Sequence, residues 1–209
     1  MKVFLPLLFA AGVLARAAFA ETDNFDKAKI GALPPNWQAG ITGPGAPAWT
    51  VEADASAPSQ PNVLKQSAQV DSHSYPWCVK KNVAIKNGYV QVRFKSISGK
   101  EDQAGGIIWR WQDGDNYFVS RANALEDNVT VYHTIKGKRM ECGRAPAKVE
   151  PNEWHTLRVD FAGTHYFITF DDAKLLEWED DTFKDAGAVG VWTKADSVIA
   201  FDDFDFAEK

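Results

Sequence analysis

The sequence predicts an all-β fold, an antiparallel sandwich of two sheets, and three observations carry that prediction. From Pro76 onward the apolar pattern has period two and hardly lets up. Turn residues recur between the apolar runs at Asn87-Gly88, Asp113-Gly114-Asp115-Asn116, Lys136-Gly137 and Asp171-Asp172, where Gly and Asx tolerate positive φ or cap tight loops. No segment beyond the first twenty residues has a helical period, so roughly a dozen short strands are expected.

At the N-terminus Lys2 supplies a positive charge, Val3 to Leu14 an apolar run, and Ala18-Phe19-Ala20 a small-x-small cleavage pattern. The apolar run is too short to span a bilayer. Residues 1–20 therefore read as a signal peptide and 21–209 as one β-sandwich domain, exported to the periplasm or secreted, with no membrane span. Residues 21–47 are rich in Pro, Gly and Ala, an irregular lead-in with a first strand near Asn24 to Lys27 and with Trp37 and Trp49 pinning it to the sandwich. Strands follow around Trp49-Val51 and Val63-Gln66, separated by an irregular piece from Ala53 to Asn62.

In Gly88 to Ile97, Val90, Val92 and Phe94 fall on one face and Gln91, Arg93 and Lys95 on the other, the pattern of a half-buried antiparallel strand. Trp154 to Phe161 repeats it with Leu157, Val159 and Phe161 inward, and Tyr166, Ile168 and Phe170 alternate after a turn. In the last strand Ile199 and Phe201 share one parity and Phe204 and Phe206 the other, so a bulge is expected at Asp202-Asp203.

Removing Lys2 and Arg16 leaves 21 basic against 28 acidic residues, a net charge of −7. That balance argues against nucleic acid or an anionic membrane as partner. Cys78 and Cys142 are the two cysteines. In an oxidising compartment they could form one disulfide; two buried free thiols are the alternative. The four histidines form no close-spaced pair, so no catalytic metal site is visible, and no Ser nucleophile elbow, phosphate-binding Gly loop or Cys-x-x-Cys motif occurs.

The stretch from Gly105 to Tyr132 is the chemically richest, combining aromatic rings with guanidinium and amide groups as saccharide recognition requires. Alternation puts Ile107, Trp109 and Trp111 on one face, and Tyr117, Val119, Arg121 and Asn123 on a face opposite Phe118 and Ala122. The ligand-binding candidates are Trp109, Arg110, Tyr117, Arg121 and Asn123, with Trp192 from the Trp192–Ser197 loop cluster. The competing reading has the arginines holding acids such as Asp160 or Glu126, the tryptophans simply buried, and Asp196 capping backbone amides.

Several segments together resemble one family: GGIIWRWQDGDNYFVSRANALEDNVTVY from Gly105, EWHTLRV from Glu153, EWEDDTF from Glu177 and GAVGVWTKADSVIAFDDF from Gly187. They are similar to the concanavalin A-like, LamG-type jelly rolls grouped with the DUF1080, 3-keto-disaccharide hydrolase or family 16 glycoside hydrolase-like domains of exported bacterial proteins, over roughly residues 76–206. The resemblance implies a jelly roll with two curved sheets, a concave face used for glycans and, in some members, a structural calcium ion. Asp202, Asp203 and Asp26 are the candidate calcium ligands, against the alternative of a charged edge that discourages strand pairing. Chemistry on a 3-keto-sugar would require a base beside the ketone, and His133 is the candidate. The acids Glu177, Glu179 and Asp181 share a face, but Phe183 and Lys184 stand where a retaining glycosidase needs its third carboxylate, so they read as a charged edge.

The resulting expectation is an exported, non-catalytic jelly roll that binds a carbohydrate on its concave sheet and needs no cofactor other than that calcium ion. The alternatives are a hydrolase or lyase acting on 3-keto-glycosides, and a structural envelope protein without a sugar ligand.

Overall fold

The computed structural model describes residues 20–209, so the signal-peptide expectation for residues 1–20 lies, apart from Ala20, outside the described residues. Fifteen strands run in chain order: β1 (Ala20–Asp23), β2 (Trp37–Thr42), β3 (Trp49–Ala53), β4 (Asn62–Gln66), β5 (Tyr75–Lys80), β6 (Gly88–Ser98), β7 (Ala104–Asp113), β8 (Asn116–Asn123), β9 (Asn128–Ile135), β10 (Lys138–Pro146), β11 (Trp154–Ala162), β12 (His165–Phe170), β13 (Ala173–Glu179), β14 (Ala188–Thr193) and β15 (Val198–Glu208). They form two antiparallel sheets. One has the order β13-β12-β11-β6-β15-β4-β3, with β1 also pairing with β15; the other has the order β10-β9-β8-β7-β14-β5-β2. The all-β sandwich is thus as the sequence predicts.

The core lies between the sheets. Val90, Val92, Phe94, Leu157, Val159 and Ile168 enter it from the first sheet, and Ile107, Trp109, Phe118, Ala122, Val131 and Val191 from the second. Gln91, Arg93 and Lys95 stay half-buried on the opposite face of β6, as period two requires. Trp37 meets Phe204 edge-on at 5.0 Å and Trp49 packs on Phe201, so both tryptophans do pin the lead-in to the sandwich.

Three local departures matter. The first strand ends at Asp23, because Asn24 and Asp26 hydrogen-bond to each other and Phe25 sits at φ 61°, a compact Asx turn where a strand over Asn24 to Lys27 was expected. In β7 Arg110 is left-handed at φ 47° and the pairing with β8 slips between Trp109 and Asp113. This bulge ends the alternation, so Trp109 and Trp111 do not share a face: Trp109 enters the core, while Trp111 packs with Trp77 on the other side. In β15 the register slips between Asp202 and Asp205 with Asp203 at φ 45°, the bulge expected there.

Cys78 and Cys142 are both free thiols. Their strands, β5 and β10, stand five positions apart in one sheet. Each step is about 4.8 Å, far beyond what a disulfide can bridge, so the disulfide reading is corrected.

Candidate functional site

The outer face of the seven-stranded sheet carries most of the predicted residues. Cross-strand pairing aligns Arg121 with Gly106 and Thr130, Val119 with Ile108 and Tyr132, and Asn123 with Ala104 and Asn128. The sheet coils so far that the end of β2 meets the turn between β7 and β8. Thr42 Oγ1 donates to the Gly114 carbonyl at 2.5 Å and lies 2.8 Å from the Tyr117 hydroxyl. The hollow is therefore closed over its centre and filled by Tyr75, Val79, Ile108, Tyr117, Val119, Tyr132 and Trp192, a second apolar cluster separate from the main core.

Arg139 of β10 completes the closure. Its guanidinium lies 4.1 Å from the Tyr132 ring centroid, 4.7 Å from Tyr75 and 5.6 Å from Trp192, and Tyr75 stacks on Trp192 at 5.5 Å. A planar cation over aromatic faces is the position a sugar ring would take on such a platform. Here the protein's own side chain holds it.

Of the six predicted ligand-binding residues, Tyr117, Arg121, Asn123 and Trp192 do lie on this face, but all are nearly inaccessible; Tyr117 and Trp192 are 0% exposed and Arg121 3%. Burial raises the Tyr117 hydroxyl above its ordinary pKa, although Thr42 and neighbouring donors act against this. Arg121 directs Nη2 at Glu126 (2.7 Å) and Tyr132 Oη (3.2 Å), and Nη1 at Asn128 Oδ1 (2.6 Å). Asn123 donates to Asp102 Oδ1 at 2.6 Å, and Lys194 pairs with the other oxygen of that carboxylate. Burial raises the Asp102 pKa, and Lys194 only partly offsets the effect. These polar forks are directed at protein partners, as the competing reading had it for Glu126.

The other two predictions need correction. Trp109 is fully buried between the sheets, stacked on Phe118 with centroids 5.4 Å apart. Arg110 is buried beside it and donates to Tyr166 Oη (2.9 Å), Lys86 O (2.8 Å), Gly163 O (2.7 Å) and Phe183 O. It clamps the turn between β11 and β12 to the second sheet. The β7 bulge, invisible to strict alternation, turns Arg110 inward, whereas Trp109 keeps the parity of Ile107 and enters the core with it.

Open surface on this face lies toward the other end of the sheet. Trp77 and Trp111 are half-buried, with ring centroids 5.3 Å apart. Trp111 walls a cleft of about 410 Å³ whose lining includes Gln38, Lys81, Asn82 and Ala188. Trp77 lies flat over β2: a Cβ built on Gly40 would come within 2.3 Å of its ring, so only glycine leaves room there. An indole wall beside an amide and an ammonium supplies stacking and hydrogen bonding together, and the size is that of a small-ligand cleft. Trp111 stood in the aromatic stretch but on the wrong face; Trp77 and Arg139 were passed over because neither sits in a polar-aromatic run.

His133 is corrected as well. It does not look onto the outer face but lies on the inner side of β9, paired with Met140 and Phe118 in the ladder, with Nδ1 3.2 Å from Asp180 Oδ2. Glu177 and Glu179 are a salt-bridged edge, with Lys174 and His165 as partners. Asp196 accepts the backbone N–H groups of Lys100, Glu101 and Asp102; burial works against its charge but those bonds prevail and lower its pKa.

Asp202, Asp203 and Asp26 share one corner of the fold. Asp202 is fully buried and accepts from Ser59 N (2.8 Å) and Asp203 N (2.7 Å), and Ser59 Oγ donates to Asp203. Burial, with the charges of Asp203 and Asp26 adding to it, outweighs those bonds and pushes the Asp202 carboxyl up to about 7. Asn62 donates to both Asp26 Oδ1 and Asp26 O, while its own buried Oδ1 has no protein partner. Asp26, Asp202 and Asp203 do not bring one carboxylate oxygen each within 4.8 Å of one another, as ligands of a single calcium ion would.

No protein-family model and no curated protein sequence matches this chain. Solved structures do. Carbohydrate binding module CBM66 from Bacillus subtilis superposes with a TM-score of 0.64 at 14% identity, covering 81% of this chain and 93% of that one. The Emp47p carbohydrate recognition domain gives 0.62 at 12% identity, over 90% and 94%. A Bacillus subtilis protein of unknown function with a galectin-like fold gives 0.58 at 11%, over 83% and 90%. At such identities the likeness is one of fold, and the fold of this chain is the jelly-roll sandwich.

Proposed function

We propose that this chain is an exported saccharide-binding jelly roll, periplasmic or secreted, whose binding surface is the outer face of the seven-stranded sheet around Trp77 and Trp111. The observation that carries it is the Trp111-walled cleft with Gln38, Lys81 and Asn82 around it. Support also comes from two neighbours in fold whose names say that they bind carbohydrate. The export rests on the N-terminal pattern, and the finer kinship with DUF1080 domains rests on the segments quoted above. The test is retardation of the protein in native gels containing different polysaccharides, with bovine serum albumin as the non-binding reference. Selective retardation by one polysaccharide is the expected result; uniform mobility in all of them contradicts the reading.

A second reading, a structural envelope protein without a sugar ligand, is favoured by the burial of Tyr117, Arg121 and Trp192. It predicts uniform mobility in those gels. The enzymatic alternative on 3-keto-glycosides gains nothing from His133, which faces away from the cleft.

A further inference from the structure

At the free edges of the two sheets, three donor atoms from three separate chain segments converge. His133 Nδ1, Cys142 Sγ and an Asp180 carboxylate oxygen all lie within 4.8 Å of one another, the one such group of His, Cys, Asp or Glu among the described residues. His133 Nδ1 is 3.2 Å and Cys142 Sγ 3.8 Å from Asp180 Oδ2. Ligands on a tetrahedral zinc ion, with bonds of about 2.0–2.3 Å, stand about 3.3–3.6 Å apart. Those two separations are within a few tenths of an ångström of a metal's geometry, and the third, His133 Nδ1 to Cys142 Sγ, is no more than 4.8 Å.

Each segment holds its donor by a local device. β10 bulges between Glu141 and Gly143, so Cys142 is the extra residue of the ladder and its thiol turns inward against β13 instead of alternating. Asp180, just past the end of β13, accepts the Thr182 backbone N–H on Oδ1 at 2.7 Å, which leaves Oδ2 facing the other two groups. Burial opposes the charge of Asp180, but the Thr182 and His133 contacts prevail and hold its carboxyl below the ordinary value. The side chains of His133 and Asp180 are 15% and 13% exposed, so the site is largely shielded from water.

We propose that His133, Cys142 and Asp180 form a zinc site that clips β10, the edge of one sheet, to the end of β13, the edge of the other. An imidazole, a thiolate and a carboxylate are the donor types zinc takes, and three protein ligands leave a fourth position for water. Binding replaces the Cys142 S–H bond by an S–Zn bond and releases one proton. Because the thiolate is the ligand, uptake strengthens as pH rises. The arrangement was illegible in the sequence because its members lie on three segments with no short spacing.

The test uses the metal-free full chain and cobalt(II) as the spectroscopic stand-in. Wild type should take up one equivalent with a near-ultraviolet thiolate-to-cobalt charge-transfer band, and zinc should compete it away and raise the Tm. Cys142→Ser and Asp180→Asn should each lose the band and the zinc-induced rise. Absence of the band in wild type, or its persistence in Cys142→Ser, overturns the proposal. Should a variant not fold, alkylation of wild type with iodoacetamide and peptide mapping decides: zinc must protect Cys142, and unchanged labelling overturns the proposal.

Discussion

The Thr42 hydroxyl lies 2.8 Å from the Tyr117 hydroxyl, joining the edge strand β2 to β8 near the opposite side of the same sheet. One contact between two side chains thereby marks how far the sheet has coiled. It turns what the sequence presents as an open sugar-binding hollow into a second, smaller core.

Thr42→Val keeps the shape and removes both hydrogen bonds, leaving the Gly114 carbonyl and the buried Tyr117 hydroxyl short of a partner. The expected cost is about 1–3 kcal/mol. Tyr117→Phe, which leaves Thr42 bonded to Gly114, should cost less, about 0.5–1.5 kcal/mol. Urea denaturation of both variants checks the order; equal costs would mean the corner is not held by this pair.

Arg139→Ala removes the guanidinium from over Tyr132, Tyr75 and Trp192. It should destabilise by about 1–2 kcal/mol through lost stacking and stem packing, and expose the aromatic cluster to solvent. Acrylamide quenching of tryptophan fluorescence should increase. Unchanged quenching would show that the strands, not Arg139, seal the hollow.

Arg110→Lys should lose about 3 kcal/mol or more, because an ammonium cannot reproduce a fork that reaches four acceptors. Thermal unfolding measures it. A surface-like cost below about 0.5 kcal/mol would contradict the clamp.

The Asp202 carboxyl, at about 7 in the fold against an ordinary 3.8, holds its proton more tightly folded than unfolded. Its stabilising contribution is complete below pH 3.8 and lost as pH rises through 7, at most about 4 kcal/mol in all. Wild type should therefore lose stability relative to Asp202→Asn between pH 5 and 8. Denaturant midpoints of the two proteins across that range test it; parallel profiles would refute the raised carboxyl.

The strands were legible because period two is a consequence of burial on one face, and Val90, Val92 and Phe94 obey it. The bulge at Asp202-Asp203 was legible too, from the change of parity between Phe201 and Phe204, but the bulge in β7 and the contacts that join distant segments were not. The bulge at Arg110 moved Arg110 off the predicted surface, while Trp109 follows Ile107 into the core. The coil that brings Thr42 to Tyr117 is a property of the whole sheet, and no local pattern in β2 or β8 announces it. Arg121 and Asn123 were placed on the right face, but their partners Glu126, Asn128 and Asp102 arrive only through the fold.

The saccharide reading now rests on the Trp111-walled cleft, and calorimetric titration with the polysaccharide that retards wild type tests it most directly. Trp111→Ala, measured on the folded variant, should weaken binding about tenfold or more, about 1.4 kcal/mol. Equal affinity of wild type and Trp111→Ala would contradict the account.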